Sequence, residues 1–247
     1  MRNKQPKLVL RESCIEDLTH SWIPGYFLEV GAGTGYMTVK FLERGFYGSC
    51  YDLGQESRNR LRENLTTFQG YINVLDDLNF LTPNTFDYLF AFEVLEHIDD
   101  DGEALKHWTK YLKPGGRILI TVPAHTKKFG KSDEVVGHIR RYERQELINI
   151  LKEAGYKNIS LINYGFPLTE ITRIISNLLI SNENSYLKLT PTERSTRSSF
   201  SRPQHIQKLL SRLNENIFYP FKFIQRIFYE KDWGDGLVAT AQKLQSL

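Results

Sequence analysis

The sequence predicts an α/β fold: a doubly wound sheet of seven strands with a helical insert before the last one. Three observations carry this. The short apolar run Phe27-Leu28-Glu29-Val30 ends in glycines at alternate positions, Gly31, Gly33 and Gly35, and then gives way to helical spacing at Met37, Phe41 and Leu42. Two longer apolar runs, 86–92 and 117–123, are separated by a helical pattern through Leu105, Trp108 and Leu112. Strand-like and helix-like stretches keep alternating as far as residue 165, as parallel strands joined by crossover helices do.

In chain order, residues 1–24 read as polar cover with one amphipathic stretch around Ile15, Leu18 and Trp22, and Pro24-Gly25 turns the chain into the first strand. The helix after Gly35 should run to about Arg44 and stop at Gly45, a residue suited to a helix C-terminus. A second strand at 46–51 ends in Asp52, and a third at 72–75 ends in Asp76-Asp77. The fourth strand is 86–92. Pro114-Gly115-Gly116 reads as a sharp turn before the fifth at 117–123. A polar segment follows, then a helix through Leu147, Ile150 and Leu151 that stops at Gly155, a sixth strand at 157–164, and a closing strand at 236–241.

Residues 1–165 with 233–247 are expected to form the core, and 166–232 a helical insert. The insert has one apolar face at Leu168, Ile171, Ile174, Ile175, Leu178 and Leu179, and another at Ile206, Leu209, Leu210 and Leu213. Between them, 190–203 is rich in Ser and Thr with Pro191 and Pro203, and reads as a linker. An aromatic, basic stretch at 217–229 suits a substrate lid, a homodimer interface or a membrane-surface element.

Composition narrows the function classes. The net charge of +3 over 247 residues is too small to argue for DNA or RNA as partner. Two cysteines, Cys14 and Cys50, make no disulfide framework. No apolar run approaches the roughly 20 residues that span a bilayer, and no signal-like core follows the first residues. A cytoplasmic location is the expectation.

The glycine turn places backbone without Cβ atoms where a ligand can approach closely. Its spacing is neither Gly-x-Gly-x-x-Gly, since Tyr36 holds the last position, nor a phosphate loop closed by Gly-Lys-Ser/Thr. With Glu29 two residues ahead, Gly31-Ala32-Gly33-Thr34-Gly35 resembles the first motif of the class I S-adenosylmethionine-dependent methyltransferases. Asp52, at the end of the second strand and some twenty residues on, matches the acid that accepts the ribose hydroxyls in that family. The segments Glu93-Val94-Leu95-Glu96-His97-Ile98, Leu112-Lys113-Pro114-Gly115-Gly116-Arg117 and Gly137-His138-Ile139-Arg140-Arg141-Tyr142 resemble family segments in order and spacing, so that the resemblance covers residues 25–165.

The resemblance implies a Rossmann-like methyltransferase fold with a mixed sheet whose seventh strand is antiparallel. It implies S-adenosyl-L-methionine as cofactor, held by Glu29, Gly31, Ala32, Gly33, Gly35, Asp52, Leu53, either of Asp76 and Asp77, Phe92 and Glu93. The reaction would methylate a small, partly apolar molecule, with oxygen favoured over nitrogen. Deprotonating an oxygen acceptor calls for a base, for which His97 and His138 are candidates, with His125 behind them. Arg140, Arg141 and Tyr142 are candidates to receive a substrate carboxylate or phosphate. Glu93, Glu96, His97 and His138 together resemble the metal set of small-RNA 3′-terminal 2′-O-methyltransferases; a divalent metal is possible on this chemistry but not favoured. Methylation of an RNA terminus and cofactor binding without catalysis are the alternative functions.

Overall fold

Tyr26–Val30 forms β1, and from Phe27 onward its side chains are buried. The computed structural model describes residues 6–179, 190 and 215–245. The remaining strands are β2 (Tyr47–Tyr51), β3 (Ile72–Leu75), β4 (Phe86–Phe92), β5 (Leu112–Pro123), β6 (Tyr156–Tyr164) and β7 (Gly236–Lys243). They make one seven-stranded mixed sheet in the order β3-β2-β1-β4-β5-β7-β6. β1 pairs in parallel with β2 on one side and β4 on the other, β3 extends from β2 and β5 from β4. The winding therefore reverses between β1 and β4, and the carboxyl ends of these two strands flank the switch point where ligands of open α/β sheets bind.

Helices α1 (Pro6–Thr19), α2 (Tyr36–Leu42), α3 (Gln55–Asn64), α4 (Asp101–Thr109), α5 (Lys131–Val136), α6 (Arg144–Glu153), α7 (Leu168–Leu179) and α8 (Tyr219–Arg226) complete the described chain. Aromatic side chains hold α2 to the sheet. The Phe41 ring stacks on Phe90 at 4.2 Å between centroids, Phe90 on Phe27 at 5.2 Å, and Phe46 meets Phe41 edge-on at 5.3 Å. Each ring is fully buried, and each such burial contributes on the order of 1.5–3 kcal/mol.

Two local expectations are corrected. The polar cover at 1–24 contains α1, whose Val9, Leu10, Cys14 and Ile15 are buried. Arg11, Glu12, Glu16 and Asp17 interrupt the apolar signal, which hides the face. The Pro114-Gly115-Gly116 turn lies inside β5 instead of before it. Phe86 pairs with Leu112 and Tyr88 with Arg117, so residues 113–116 bulge out of the ladder, with Gly115 at φ 76°.

The chain packs as two compact units. One gathers Met1–Ser21, Pro123–Arg144 and Leu161–Val238; the other Trp22–Val122, Gln145–Ser160 and Ala239–Leu247. The described flanks of the insert thus pack with α1 and with the segment after β5. Gln225, 1% exposed, donates from Nε2 to the Leu10 carbonyl at 3.0 Å and accepts the Gly165 N–H at 3.1 Å, and so ties α8 to α1 and to the end of β6. Apart from Thr190, the linker-like stretch 190–203 lies outside the described residues, as does the apolar face at Ile206–Leu213. Among the described residues no helix is long and apolar enough to cross a membrane.

Candidate active site

The turn after β1 needs glycine for conformation as well as space. Gly31, Gly33 and Gly35 have φ of 72°, 57° and 80°, a region that costs other residues about 1–2 kcal/mol. A Cβ on Gly31 would also run into the Val94 side chain. The N–H groups of the turn point at the end of β2: Gly31 and Ala32 donate to the Tyr51 carbonyl at 2.9 and 3.0 Å, and Gly33 donates to Asp52 Oδ2 at 2.9 Å. Gly35 donates to the Ala32 carbonyl at 2.9 Å. Each of these four donors is satisfied within the protein, so the turn offers them to no phosphate.

Asp52 is the hinge of this arrangement. A carboxylate has about four lone-pair sites. Of these, Gly33 takes one, and the Gly54 N–H approaches Oδ1 at 3.4 Å. The next residue, Leu53, is 66% exposed, which gives the site an apolar surface. Arg58 on α3, which sequence reasoning missed, clamps both residues by donating from Nη1 to the Asp52 and Leu53 carbonyls at 2.8 and 2.7 Å. An arginine one turn into a helix after an acidic strand end was the available signal.

Glu29 is drawn into the protein. It is 2% exposed, and its Oε2 accepts the Thr38 hydroxyl at 2.7 Å. This hydrogen bond braces β1 against α2. Asp76 and Asp77 separate as well. Asp76 accepts from Arg62 at 2.7 Å and Arg58 at 3.2 Å, and the Arg62 hydrogen bond, with Arg58 adding, holds its carboxyl below the usual range. Asp77 accepts the Asn79 N–H at 2.9 Å in a local turn.

At the end of β4, Phe92 is buried and Glu93 has φ 57°. Its N–H is caught by the Thr121 carbonyl at 2.9 Å and the Thr121 hydroxyl at 3.1 Å on β5. A non-glycine residue held there costs on the order of 1–3 kcal/mol, which re-aims the chain at the switch point. Glu96, fully buried, and His97, half-buried, follow in a 3-10 turn. Glu93, Glu96 and His97 lie in one compact unit and His138 in the other.

His138 sits just past α5, where Gly137 at φ 84° ends the helix. Its Nδ1 lies 2.9 Å from Asp133 Oδ1, and the two side chains are 9% and 2% exposed. Asp133 also accepts the Gly130 N–H at 3.0 Å and Arg141 Nε at 3.0 Å on each oxygen. Burial alone would push the Asp133 carboxyl up, but hydrogen bonds from His138 and Arg141 and the Arg141 charge bring it below the usual range. The Asp133 carboxylate thus fixes the orientation of the imidazole through Nδ1.

The substrate role expected for Arg141 and Tyr142 is corrected. Arg141 is 3% exposed and also donates from Nη1 to the Ala124 carbonyl at 3.0 Å and Asp235 at 2.9 Å. Its charge is consumed by two buried carboxylates. Tyr142 is fully buried, and its backbone bonds Pro123 and His125. Arg140 is half-buried. His125 stands at φ 65° between Glu143, 3.5 Å from Nδ1, and Asp232, 3.8 Å from Nε2.

Residues 14–161 match the family model described as a methyltransferase domain. The chain is 31% identical over 118 residues to phosphoethanolamine N-methyltransferase 2 of Caenorhabditis elegans, which aligns 45% of this chain and 26% of the relative. It is 29% identical over 116 residues to the ubiquinone biosynthesis O-methyltransferase of Idiomarina loihiensis, 45% of this chain and 48% of that one. The alignments thus span no more than about half the length of these two relatives. The fold matches that of Haemonchus contortus phosphoethanolamine N-methyltransferase 2, solved with phosphomonomethylethanolamine and S-adenosylhomocysteine, at TM-score 0.61 and 18% identity over 95% of this chain and 53% of the other. The family match spans more than half of the chain and contains both the glycine turn and the β4 switch-point residues. This chain belongs to the methyltransferase domain family, within the class I S-adenosylmethionine-dependent methyltransferases.

Proposed function

We propose that this protein transfers a methyl group from S-adenosylmethionine to an oxygen atom of a small, partly apolar acceptor. The observation that carries the cofactor assignment is the inward turning of the Gly31, Ala32, Gly33 and Gly35 N–H groups beside the Asp52 carboxylate. A site with these four amides spent and a carboxylate presented suits a hydroxylated, cationic ligand better than a phosphate. The donor set fits: Asp52 would hold the ribose hydroxyls with its remaining lone pairs, Leu53 offers an apolar surface, and Arg58 keeps both in place. When bound, the cofactor supplies a methyl group on a sulfonium whose leaving group is neutral, so no residue has to stabilise a developing oxyanion.

What the protein adds is alignment, which can account for several kcal/mol of the barrier, and removal of the acceptor proton. His138, oriented by the Asp133 hydrogen bond, is the base of this proposal. The same geometry favours oxygen over nitrogen, because a neutral amine needs no base. The relatives carry both O- and N-methyltransferase names, so the choice rests on His138. Residues 1–165 with 233–247 act as the methyltransferase core and 166–232 as the insert that covers the acceptor or forms a dimer.

Calorimetry with S-adenosylmethionine tests the first half, with Asp52→Asn expected to weaken binding about tenfold, one lost charge-assisted hydrogen bond. Transfer of a labelled methyl group to a metabolite pool tests the second. His138→Asn should lower turnover about 10²–10⁴-fold with unchanged cofactor affinity, and full turnover by this variant would remove His138 from the mechanism.

A further inference from the structure

Within the unit that contains α1, α5 and α7, an open groove of about 590 Å³ lies at the carboxyl ends of β5 and β6, with His125, Phe166 and Trp233 among its walls. That volume falls inside the roughly 300–1,000 Å³ that small-molecule sites span. Six charged or titratable side chains line it, and most are already committed. Lys128 donates to Glu170 at 2.6 Å and to the Trp233 and Gly234 carbonyls at 2.8 and 2.9 Å. Glu170 also takes Arg173 at 2.8 Å. Glu143 accepts the Thr126 N–H and hydroxyl at 2.9 and 2.6 Å.

Two charges are left over, one of each sign. Lys127 is exposed and makes no hydrogen bond or ion pair among the described residues. Asp232 is 45% exposed and held only loosely, with Asn163 Nδ2 at 3.5 Å, His125 Nε2 at 3.8 Å and Arg144 Nε at 3.9 Å. His125 Nε2 itself is buried without a hydrogen-bond partner. Beside Asp232, the Trp233 ring is fixed against Phe166 and Phe228 at 5.4 and 5.7 Å, yet 52% of the residue stays exposed.

We infer that this groove binds the acceptor as a zwitterion, an ammonium group against Asp232 and the Trp233 ring and an anionic group on Lys127. A carboxylate next to an aromatic face is the surroundings an ammonium group prefers. A singly charged molecule would satisfy only one of the two open charges. A zwitterion satisfies both and leaves the net charge of the groove unchanged. That the bound molecule is the acceptor rests on the methyltransferase reading; the binding chemistry does not.

The test uses the full chain without cofactor. 4-Aminobutyrate and 6-aminohexanoate serve as zwitterionic probes, with butyrate and butylamine as single-charge controls. Binding is followed by calorimetry and by acrylamide quenching of tryptophan fluorescence, which reads Trp233 because Trp22 and Trp108 are buried. At least one zwitterion should bind ten or more times tighter than both controls and protect Trp233. Lys127→Ala and Asp232→Asn should each reduce its affinity to that of a control. Equal affinities, no binding by any probe, or variants that bind like the parent would overturn the inference. Calorimetry with S-adenosylmethionine keeps the two readings apart: zwitterion binding without cofactor binding leaves the groove standing and removes the proposed methyl transfer, and the reverse result removes only the groove.

Discussion

The glycine turn and the segment 124–143 are built by opposite means. The turn is made of backbone: its partners, Tyr51 and Asp52, lie some twenty residues away, and what it requires of its own residues is the absence of a side chain. The segment 124–143 is made of side chains that reach far along the sequence, as Arg141 does to Asp235, 94 residues on. A Cβ therefore damages the first region and the loss of a charge damages the second. The difference also teaches where to look for function. The backbone site would keep its ligand specificity through most side-chain changes around it, whereas His138 depends on a charge network that one substitution can collapse.

The largest effect should come from Arg141→Ala, which leaves Asp133 and Asp235 buried without their shared cation. Breaking a buried pair in this way costs about 3–5 kcal/mol, and urea unfolding would measure it. If Arg141 instead faces the acceptor, the variant would keep its stability and lose acceptor affinity. Next is Gly31→Ala. Left-handed strain of about 1–2 kcal/mol adds to the collision with Val94, and both fall on the cofactor turn. Calorimetry should show at least a tenfold loss of S-adenosylmethionine affinity. Unchanged binding would mean that the turn is not a wall of the site.

The same contrast explains what the sequence could reveal. β1, β4, the three glycines and Asp52 were legible because each signal is local: an apolar run, a missing Cβ, an acid at a strand end. Even there the spacing did not show that Glu29 turns to Thr38 or that Arg58 clamps Leu53, since these depend on how α2 and α3 lie on the sheet. In the other region, Arg140-Arg141-Tyr142 has the look of an exposed anion receptor. Nothing near it in the sequence announces that Asp133 and Asp235 converge on Arg141 or that Tyr142 is buried. The α1 helix was legible only as an amphipathic stretch around Ile15 for a related reason: its buried face is opposite charges that dominate its composition, and the α8 residue that satisfies the Leu10 carbonyl, Gln225, is 215 residues away.

A smaller effect separates the regions by pH. The folded-state carboxyl of Asp133 lies below its ordinary value, so its stabilising contribution is complete above about pH 3.9, the unfolded value, and disappears as pH falls through the lower folded value. Asp133→Asn removes that contribution at every pH. Urea midpoints measured from neutral pH downward should fall more steeply for the parent than for the variant below about pH 3.9. Parallel curves would show that folding leaves the Asp133 carboxyl at its ordinary value. Metal removal should change still less: with His138 as the base, turnover should persist in excess chelator, and a loss restored by a divalent ion would return Glu93, Glu96, His97 and His138 to the role of ligands.

The smallest effect is expected at Asp76. Its side chain is 67% exposed and pairs with Arg58 and Arg62, of which Arg62 is itself 39% exposed. Exposed pairs of this kind contribute little to stability, so Asp76→Asn should leave the melting temperature where it is. Its interest lies in Arg58, which bonds Asp76 through Nε while Nη1 holds the Asp52 and Leu53 carbonyls and Nη2 holds Gln55. Three of these four contacts survive the substitution, and cofactor affinity should change less than twofold. A tenfold loss would have two explanations, an adenine contact made by Asp76 itself or a loosened Arg58. Arg58→Lys distinguishes them, because lysine keeps the charge and loses the fork. If affinity falls in Arg58→Lys and does not fall further when Asp76→Asn is added, Asp76 acts through the clamp. Independent losses would make Asp76 a ligand contact, and would show that side chains define the backbone-built site more than its geometry requires.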